Sequence, residues 1–583
     1  MQRHEGMVVV IGLAAIGCML ILPGCAPPGG GGKESIRRLA DEYMDAYLER
    51  FPEIGTYYGI PGRRHDRLRD NSLAALRSWQ AREDAWLARI GELDPKASPG
   101  SSEWTIHGIL LETLEASVAM RVCRNELWGV NETAGWQTNL TYIAEIQPVG
   151  TEELRQQALA RARELARFLD TEIVNLREGL RLAYSAPKRN VRLVAEQVRG
   201  LLEPDSPLSS PARRDTDAGF QAAFTKVVEQ EIHPAIRRYV DFLETEYEPA
   251  AREAIAVAEN PRGSECYRAA IRYYSTLELP PREIHDLGLR QIAAILGEMQ
   301  EIAERSFNTS DVPALLKRLA TEREHAFSSR EEIIEYSQDA LARARQIMPR
   351  FFGILPRADV VIEPYPAFRE KSGTGEYQSP AEDGSRPGLF YIPVSDPQRR
   401  PRVVYESLAF HETIPGHHLQ GAIALERADR SHPIARYLDR SGYSEGWALY
   451  AERLADEMGL YSSDLARMGM LGDQAARAAR LVIDTGIHEF GWTRQQAVEY
   501  MTAHTTWAPQ DIESEIDRYI IWPGQATAYM LGMLKIRDLR QRAETALGAS
   551  YQIRDFHDRI LEDGGVTLGM LEEKIEHWIS QAR

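Results

Sequence analysis

Apolar residues recur three and four positions apart along most of this chain, with charged residues filling the faces between them, the pattern of amphipathic helices. It predicts helices over 35–51, 73–90, 103–127 and 151–184, and again over 220–257, 281–305 and 331–348. Breaks containing proline or glycine at 185–188, 203–212 and 260–263 separate the units. The texture changes over 355–393. Val360-Val361-Ile362 and Leu389-Phe390-Tyr391-Ile392 are short strand-like runs around a loop rich in Gly, Ser and Pro, 372–388. Helical periodicity returns after Pro401 and runs to the C-terminus. The expected fold is mainly α, with a small β element ahead of the helix that carries His411. A soft boundary near Gly263 divides an N-terminal helical region, 35–263, from a second region, 264–583, and one continuous domain is the alternative.

Residues 1–25 break the pattern. Met7 to Leu22 is almost wholly apolar but short of the roughly 20 residues that span a bilayer. It ends in Leu22-Pro23-Gly24-Cys25, small residues before a cysteine, which look like the lipobox of a bacterial lipoprotein signal. Cleavage there would leave a lipidated Cys25 as the membrane anchor, with 26–34 as a flexible tether. An ordinary secretory signal is the alternative, and either places the protein in the cell envelope, outside the cytoplasm. Cys123 and Cys266 would then lie in a disulfide-permissive compartment, free to pair or to stay as buried thiols. The chain of 583 residues is long enough for a large core. Its net charge of −17 argues against nucleic acid as a partner. Nothing in the sequence sets the oligomeric state.

The candidate chemistry lies in His411-Glu412-Thr413-Ile414-Pro415-Gly416-His417-His418. It opens like the His-Glu-x-x-His helix of zinc peptidases, but Pro415 stands where the second histidine belongs. On a regular helix His411 and His417 would point about 120° apart, and His411 and His418 would share a face but stand about 10.5 Å apart along the axis. Pro415 has no N–H for the carbonyl four residues back, and Gly416 can take backbone angles closed to other residues. Together they would bend or swell the turn and return His417 to the face of His411, with His418 pointing elsewhere. Glu412 sits where a general base belongs. Glu445, in Gly442-Tyr443-Ser444-Glu445-Gly446-Trp447, is the favoured third ligand, and Gly446 beside it would permit close helix packing. Glu452 is the weaker candidate, since a glutamate seven positions on is usually a solvated face. The competing reading is a Pro-Gly loop between two helices with ordinary surface histidines.

Four ordered motifs carry a resemblance: His411-Glu412-x-x-Pro415-Gly416-His417; Glu445-Gly446-Trp447-Ala448-x-Tyr450-x-Glu452; Asp484-Thr485-Gly486-Ile487-His488-x-x-Gly491-Trp492; and Pro523-Gly524-Gln525-Ala526 with Tyr529. Together with Asp383-Gly384-Ser385-Arg386-Pro387-Gly388 and Phe390-Tyr391, they resemble the domain-of-unknown-function 885 family, many of whose members are bacterial lipoproteins. That family is similar to gluzincin-type zinc peptidases, so the resemblance implies a large multi-helix zinc-peptidase-like fold and Zn2+ as cofactor. It selects His417 over His418 as ligand beside His411 and Glu445.

The implied reaction is hydrolysis of a peptide bond, with Glu412 activating a zinc-bound water. His488, Tyr519 and Tyr529 are candidates for stabilising the oxyanion. Arg518 is a candidate for binding a substrate carboxylate. His418 and Tyr391 are candidate substrate contacts, the latter in a run that could serve as an edge strand for an extended peptide. Asp484 is a candidate for orienting a ligand imidazole. Two other readings stand beside this one: an inactive peptidase-like binding lipoprotein, and a zinc hydrolase of another amide such as a peptidoglycan stem peptide.

Overall fold

Helix starts follow the capping chemistry of the sequence. Ser72, Thr151, Ser329 and Ser463 each accept a hydrogen bond from a backbone N–H three residues on, at the heads of helices Leu73–Gly91, Glu152–Arg181, Arg330–Phe351 and Asp464–His488. The structure, a computed structural model, describes residues 35–365, 375–382, 384, 386–427, 431–438 and 440–582. The proposed signal segment, Cys25 and the tether up to residue 34 lie outside the described residues. Ile36–Arg583 form one compact unit. Its core runs from the N-terminal helices through to the C-terminal ones, with Trp86, Phe168, Tyr239, Trp447 and Tyr519 all buried.

Most of the predicted helices are present with small shifts at their ends, but the one expected over 103–127 stops at Met120 and gives way to two 3-10 turns, Arg121–Cys123 and Asn125–Leu127, on either side of a left-handed Arg124. The 220–257 run is instead interrupted by two wider turns, Val228–Ile232 and Leu243–Tyr247, each just ahead of a proline, Pro234 or Pro249. A proline removes an N–H from the ladder and crowds the preceding turn, and a π-bulge accommodates it without ending the helix. Cys123 and Cys266 are joined as a disulfide. It ties the turn after helix Ser102–Met120 to helix Gly263–Ser275.

Strands β1 (Val360–Pro364), β2 (Glu376–Gln378) and β3 (Gly388–Ile392) form one sheet in the order β1-β3-β2. β1 runs parallel to β3, pairing Ile362 with Phe390, and β2 runs antiparallel, pairing Tyr377 with Phe390. β3 is therefore the central strand. Its backbone groups are taken on both sides, so the expected edge strand for a peptide along Leu389–Ile392 is not available. β2 emerges from inside the Gly/Ser-rich loop, where its three residues give no periodic signal.

The second half of the chain stacks buried helices around residue 411. Tyr405–Glu412 packs against Arg330–Phe351, Ser441–Glu457 and Asp464–His488. Ser441–Glu457 crosses Ala528–Leu547 at a pair of glycines. A Cβ on Gly446 would come within 2.5 Å of the Gly532 Cα, so larger residues there would force the helices apart. The packing role expected of Gly446 is thus what the structure shows.

Candidate metal centre

The bend expected at Pro415-Gly416 is a full break. One helix ends at Glu412 and the next begins at His417, with a turn over 413–416 between them. The Thr413 carbonyl accepts the His418 N–H at 3.0 Å, and the Trp447 indole donates to the Pro415 carbonyl at 2.9 Å. Gly416 brings its Cα against the end of the first helix: an added Cβ would lie 1.9 Å from the His411 carbonyl oxygen. No side chain fits that approach.

The break turns the two imidazoles toward each other, with ring centroids 4.8 Å apart and planes at 89°. Glu445, from the next long helix, reaches both: its Oε2 lies 3.7 Å from Nε2 of His411 and 3.4 Å from Nε2 of His417. One ligand-type atom from each residue falls within 4.8 Å of the others. Burial alone would push the Glu445 carboxyl up, but the two imidazoles beside it hold it well below the usual carboxylate range. Burial likewise works against a charged His411, yet Glu445, Glu452 and Glu412 outweigh it and hold the imidazole up to about 10. The cluster thus carries the negative field that a cation would balance.

Glu452 occupies a place the sequence did not suggest. It is fully buried rather than solvated, and its Oε1 accepts from Nδ1 of His411 at 2.8 Å. Gln474 donates to its other oxygen at 3.0 Å. This bond engages Nδ1 and leaves Nε2 as the nitrogen that faces Glu445 and His417 and would turn its lone pair to a metal. Asp484, the residue expected in that orienting role, is elsewhere. It accepts from the Tyr267 hydroxyl at 2.6 Å and from the Gly524 N–H at 3.1 Å. Burial pushes it up to about 7.

Glu412 lines the cavity beside the cluster, and its carboxylate has no hydrogen-bond partner among the described residues. Burial raises its pKa, against the pull of His411 and His417. The cavity, about 430 Å3, is lined by His411, Glu412, His417, Glu445 and Tyr377 together with Arg477, Arg480, Trp507, Arg518 and Tyr529. Tyr377, from β2, was not legible beforehand. Its ring lies nearly parallel to His417, 6.4 Å between centroids, so the small sheet braces the second ligand helix.

The remaining candidates divide. Tyr529 lies in the cavity wall, its pKa raised by burial and then by the charge of Glu445. Arg518 also lines the cavity, but its Nε and Nη2 bond to Glu515 and its Nη1 to Gln525. Tyr519 is not part of the cavity lining; its hydroxyl donates to Glu515 at 2.7 Å and accepts from Arg480 at 2.8 Å. His488 is also outside the lining. Its Nε2–H donates to the Tyr519 carbonyl and its Nδ1 accepts the Val257 N–H, and burial depresses it to about 3. With both nitrogens bonded to backbone it has nothing left for a substrate. His418 points away as expected of a non-ligand, but into packing rather than into the cavity. Its Nε2–H donates to the Ala358 carbonyl at 3.0 Å and its Nδ1 accepts from the Tyr377 hydroxyl at 3.1 Å. Tyr391 stacks on Tyr365 within the sheet, outside the cavity lining.

Comparison with known proteins fits the same length of chain. The family described as "Bacterial protein of unknown function (DUF885)" matches residues 52–575. Two solved structures, each described as a putative lipoprotein, are similar. One, from Colwellia psychrerythraea, is 27% identical with a TM-score of 0.87 and covers 94% of this chain and 100% of its own. The other, of unknown function from Shewanella oneidensis, is 15% identical with a TM-score of 0.73, covers 93% and 99% respectively, and speaks to the fold alone. No curated protein matches the chain. Among the described residues no helix is long and apolar enough to cross a membrane.

Proposed function

We propose that this chain, which belongs to the DUF885 family of bacterial proteins, is a zinc-dependent hydrolase of peptide bonds that acts outside the cytoplasm. The observation that carries the reading is the convergence of His411, His417 and Glu445 on one point beside a free Glu412. The donor set suits zinc, which takes imidazole nitrogen and carboxylate oxygen in open catalytic sites. Atoms each about 2.1 Å from one zinc, in a tetrahedron, lie about 3.4 Å apart. The 3.4 and 3.7 Å separations at Glu445 are of that size.

His411 and His417 would offer Nε2, and Glu445 a carboxylate oxygen. A bound zinc would supply Lewis acidity, bringing the pKa of its water to about 7 and polarising the substrate carbonyl. Glu412 takes the proton from the attacking water onto its carboxylate and returns it to the leaving amine. Tyr529, kept protonated by burial, offers its hydroxyl to the oxyanion. Glu452 fixes the His411 ring. Tyr377 packs His417 in place. A cavity-lining carboxylate that makes no hydrogen bond among the described residues, set beside a ligand cluster, also speaks against the inactive binding-protein reading, because it serves no structural bond there.

The test is direct. Purified protein would be assayed for bound zinc by elemental mass spectrometry and for cleavage of a peptide library with and without chelator. Glu412→Gln should keep zinc and lose turnover. Cleavage that survives full removal of metal would overturn the reading. The envelope location rests on the Leu22-Pro23-Gly24-Cys25 motif and on structural relatives described as lipoproteins. It predicts a lipid-modified Cys25 and release of Cys25→Ser protein from the membrane fraction.

A further inference from the structure

The cavity that the metal cluster lines also holds Arg477, Arg480 and Arg518, with Asp473 and Glu515 as the carboxylates they bond to. Arg480 and Arg518 share a single partner, Glu515, which also accepts from Tyr519. Arg518 has a bond on every guanidinium nitrogen. Arg480 does not: Nε donates to Tyr519 and Nη2 to Glu515, while Nη1 is buried with no partner among the described residues. Arg477, one helical turn back on the same face, bonds to Asp473 through Nη1 and leaves Nε without a partner. Both arginines are more than nine-tenths buried. Their guanidinium carbons lie 5.3 and 5.4 Å from the centre of the Trp507 ring, so they cluster around one aromatic face. A buried guanidinium with unmet donors is costly, and the cost is recovered when an anion from outside completes it.

The position of this pair relative to the metal cluster defines which anion. The Tyr529 ring centre is 4.3 Å from the Arg480 guanidinium, and the same tyrosine feels the charge of Glu445. One side chain therefore senses the metal ligand and stacks against Arg480. A planar guanidinium fork is matched to a carboxylate. Resting on the hydrolase reading above, we propose that Arg480, with Arg477 beside it, binds the free C-terminal carboxylate of the peptide, so that the bond at the metal is one or two residues from that end. This moves the carboxylate contact from Arg518, each of whose nitrogens already has a partner, to Arg480, which keeps a whole nitrogen without one among the described residues.

The experiment measures binding separately from turnover. Zinc-loaded Glu412→Gln protein would be titrated calorimetrically at neutral pH with four forms of one tetrapeptide. These are the free acid, the C-terminal amide, the N-acetylated free acid, and the amide with aspartate at the third position. The free acid should bind at least tenfold tighter than the amide, and N-acetylation should change affinity less than threefold. Arg480→Gln should lower the free acid to the affinity of the amide without changing the amide itself. Because Arg480 also braces Glu515, thermal melting of that variant is measured alongside, and the acid-to-amide ratio on protein with Arg480 intact stands whether or not the variant folds. Equal binding of acid and amide overturns the proposal, as does an aspartate amide that binds as well as the free acid. Cleavage by wild-type protein is scored independently: acid-selective binding with no cleavage would remove the hydrolase reading and leave the carboxylate pocket standing.

Discussion

Replacing Glu452 by Gln tests the arrangement at the point where structure and sequence differ most. The change is nearly isosteric. A glutamine oxygen can still accept the His411 Nδ1–H at the 2.8 Å seen for the carboxylate, but the negative charge behind the imidazole is lost. The other glutamine group, an NH2, then meets the Gln474 amide nitrogen that donates to Glu452 at 3.0 Å. Two donors face each other unless Gln474 flips. Flipping would present its oxygen, which has no partner at present, but would break its bond to the Leu449 carbonyl. Outer partners of metal-bound histidines are worth about 10- to 100-fold in metal affinity, or about 1.4–2.7 kcal/mol. The loss is expected near the upper end, because both charge and network geometry change in a fully buried place. Zinc affinity would be read by competition with a chromogenic chelator on wild-type, Glu452→Gln and Glu445→Gln proteins, with thermal melting as a check on folding. Glu445→Gln should lose far more than 100-fold, since it replaces a charged carboxylate ligand by a neutral amide. If Glu452→Gln binds zinc within twofold of wild type, Glu452 does not orient His411. If it fails as completely as Glu445→Gln, Glu452 is itself a ligand and the reasoning is wrong.

Glu412→Gln should lower kcat by at least about 100-fold, in the range of a lost general base, with zinc content unchanged by elemental analysis. Gly446→Ala should melt lower than wild type by several degrees and lose zinc affinity, because the added methyl meets the Gly532 backbone at 2.5 Å and displaces the helix that carries Glu445. His417→Ala should abolish stoichiometric zinc, whereas His418→Ala should keep it and instead lose about 2–4 kcal/mol of stability in denaturant titration, since two buried hydrogen bonds go unmade. Asp484 supplies a pH dependence. Its carboxyl is raised from 3.8 to about 7 in the folded chain, so the unfolded chain releases this proton first and folding weakens as pH climbs from about 4 to about 7, by at most about 4 kcal/mol. Asp484→Asn keeps an oxygen to accept from Tyr267 and Gly524. Its melting temperature should fall less than that of wild type over the same pH range, and parallel melting profiles would refute the assignment.

The helical architecture was legible because its cause is local. A 3.6-residue period with serine or threonine caps states where a helix begins and which face is buried, as at Ser72 and Thr151. What was not legible depends on neighbours distant in sequence. The Leu389–Ile392 run reads as a strand on its own residues, but its central position is set by β2, which has only three residues inside an irregular loop. Whether Cys123 and Cys266 pair depends on two turns brought together across 143 positions. The two wide turns before Pro234 and Pro249 were also missed, since proline in a helical pattern reads equally well as an ending.

The site shows the same division, with a rule that sharpens it. His411, His417 and Glu445 could be found because their chemistry and the Pro415-Gly416 pair are written in short motifs. Glu452 reads as solvated because it recurs seven positions after Glu445, yet the helix around it carries Gly446-Trp447-Ala448-Leu449-Tyr450-Ala451, apolar residues on every face. A helix apolar all round has no solvent side, so a glutamate within it must have a buried partner, and that partner is the ligand histidine. The Asp464–His488 helix repeats the lesson on a larger scale. Almost all of it is buried, and after Asp464 and Arg467 in its first turn the charged residues Asp473, Arg477, Arg480 and Asp484 follow at spacings of four and three, a single stripe. On a surface helix such a stripe would face water. Here Asp473, Arg477 and Arg480 line the cavity and Asp484 bonds to Tyr267 at the far end. His488 follows Asp484 in the chain and shares its motif, but its bonds to Val257 and Tyr519 put it in the packing instead. How far along the stripe a residue stands, rather than membership of a motif, separates Asp473, Arg477 and Arg480, which can meet a substrate, from Asp484 and His488, which hold the end of the helix in place.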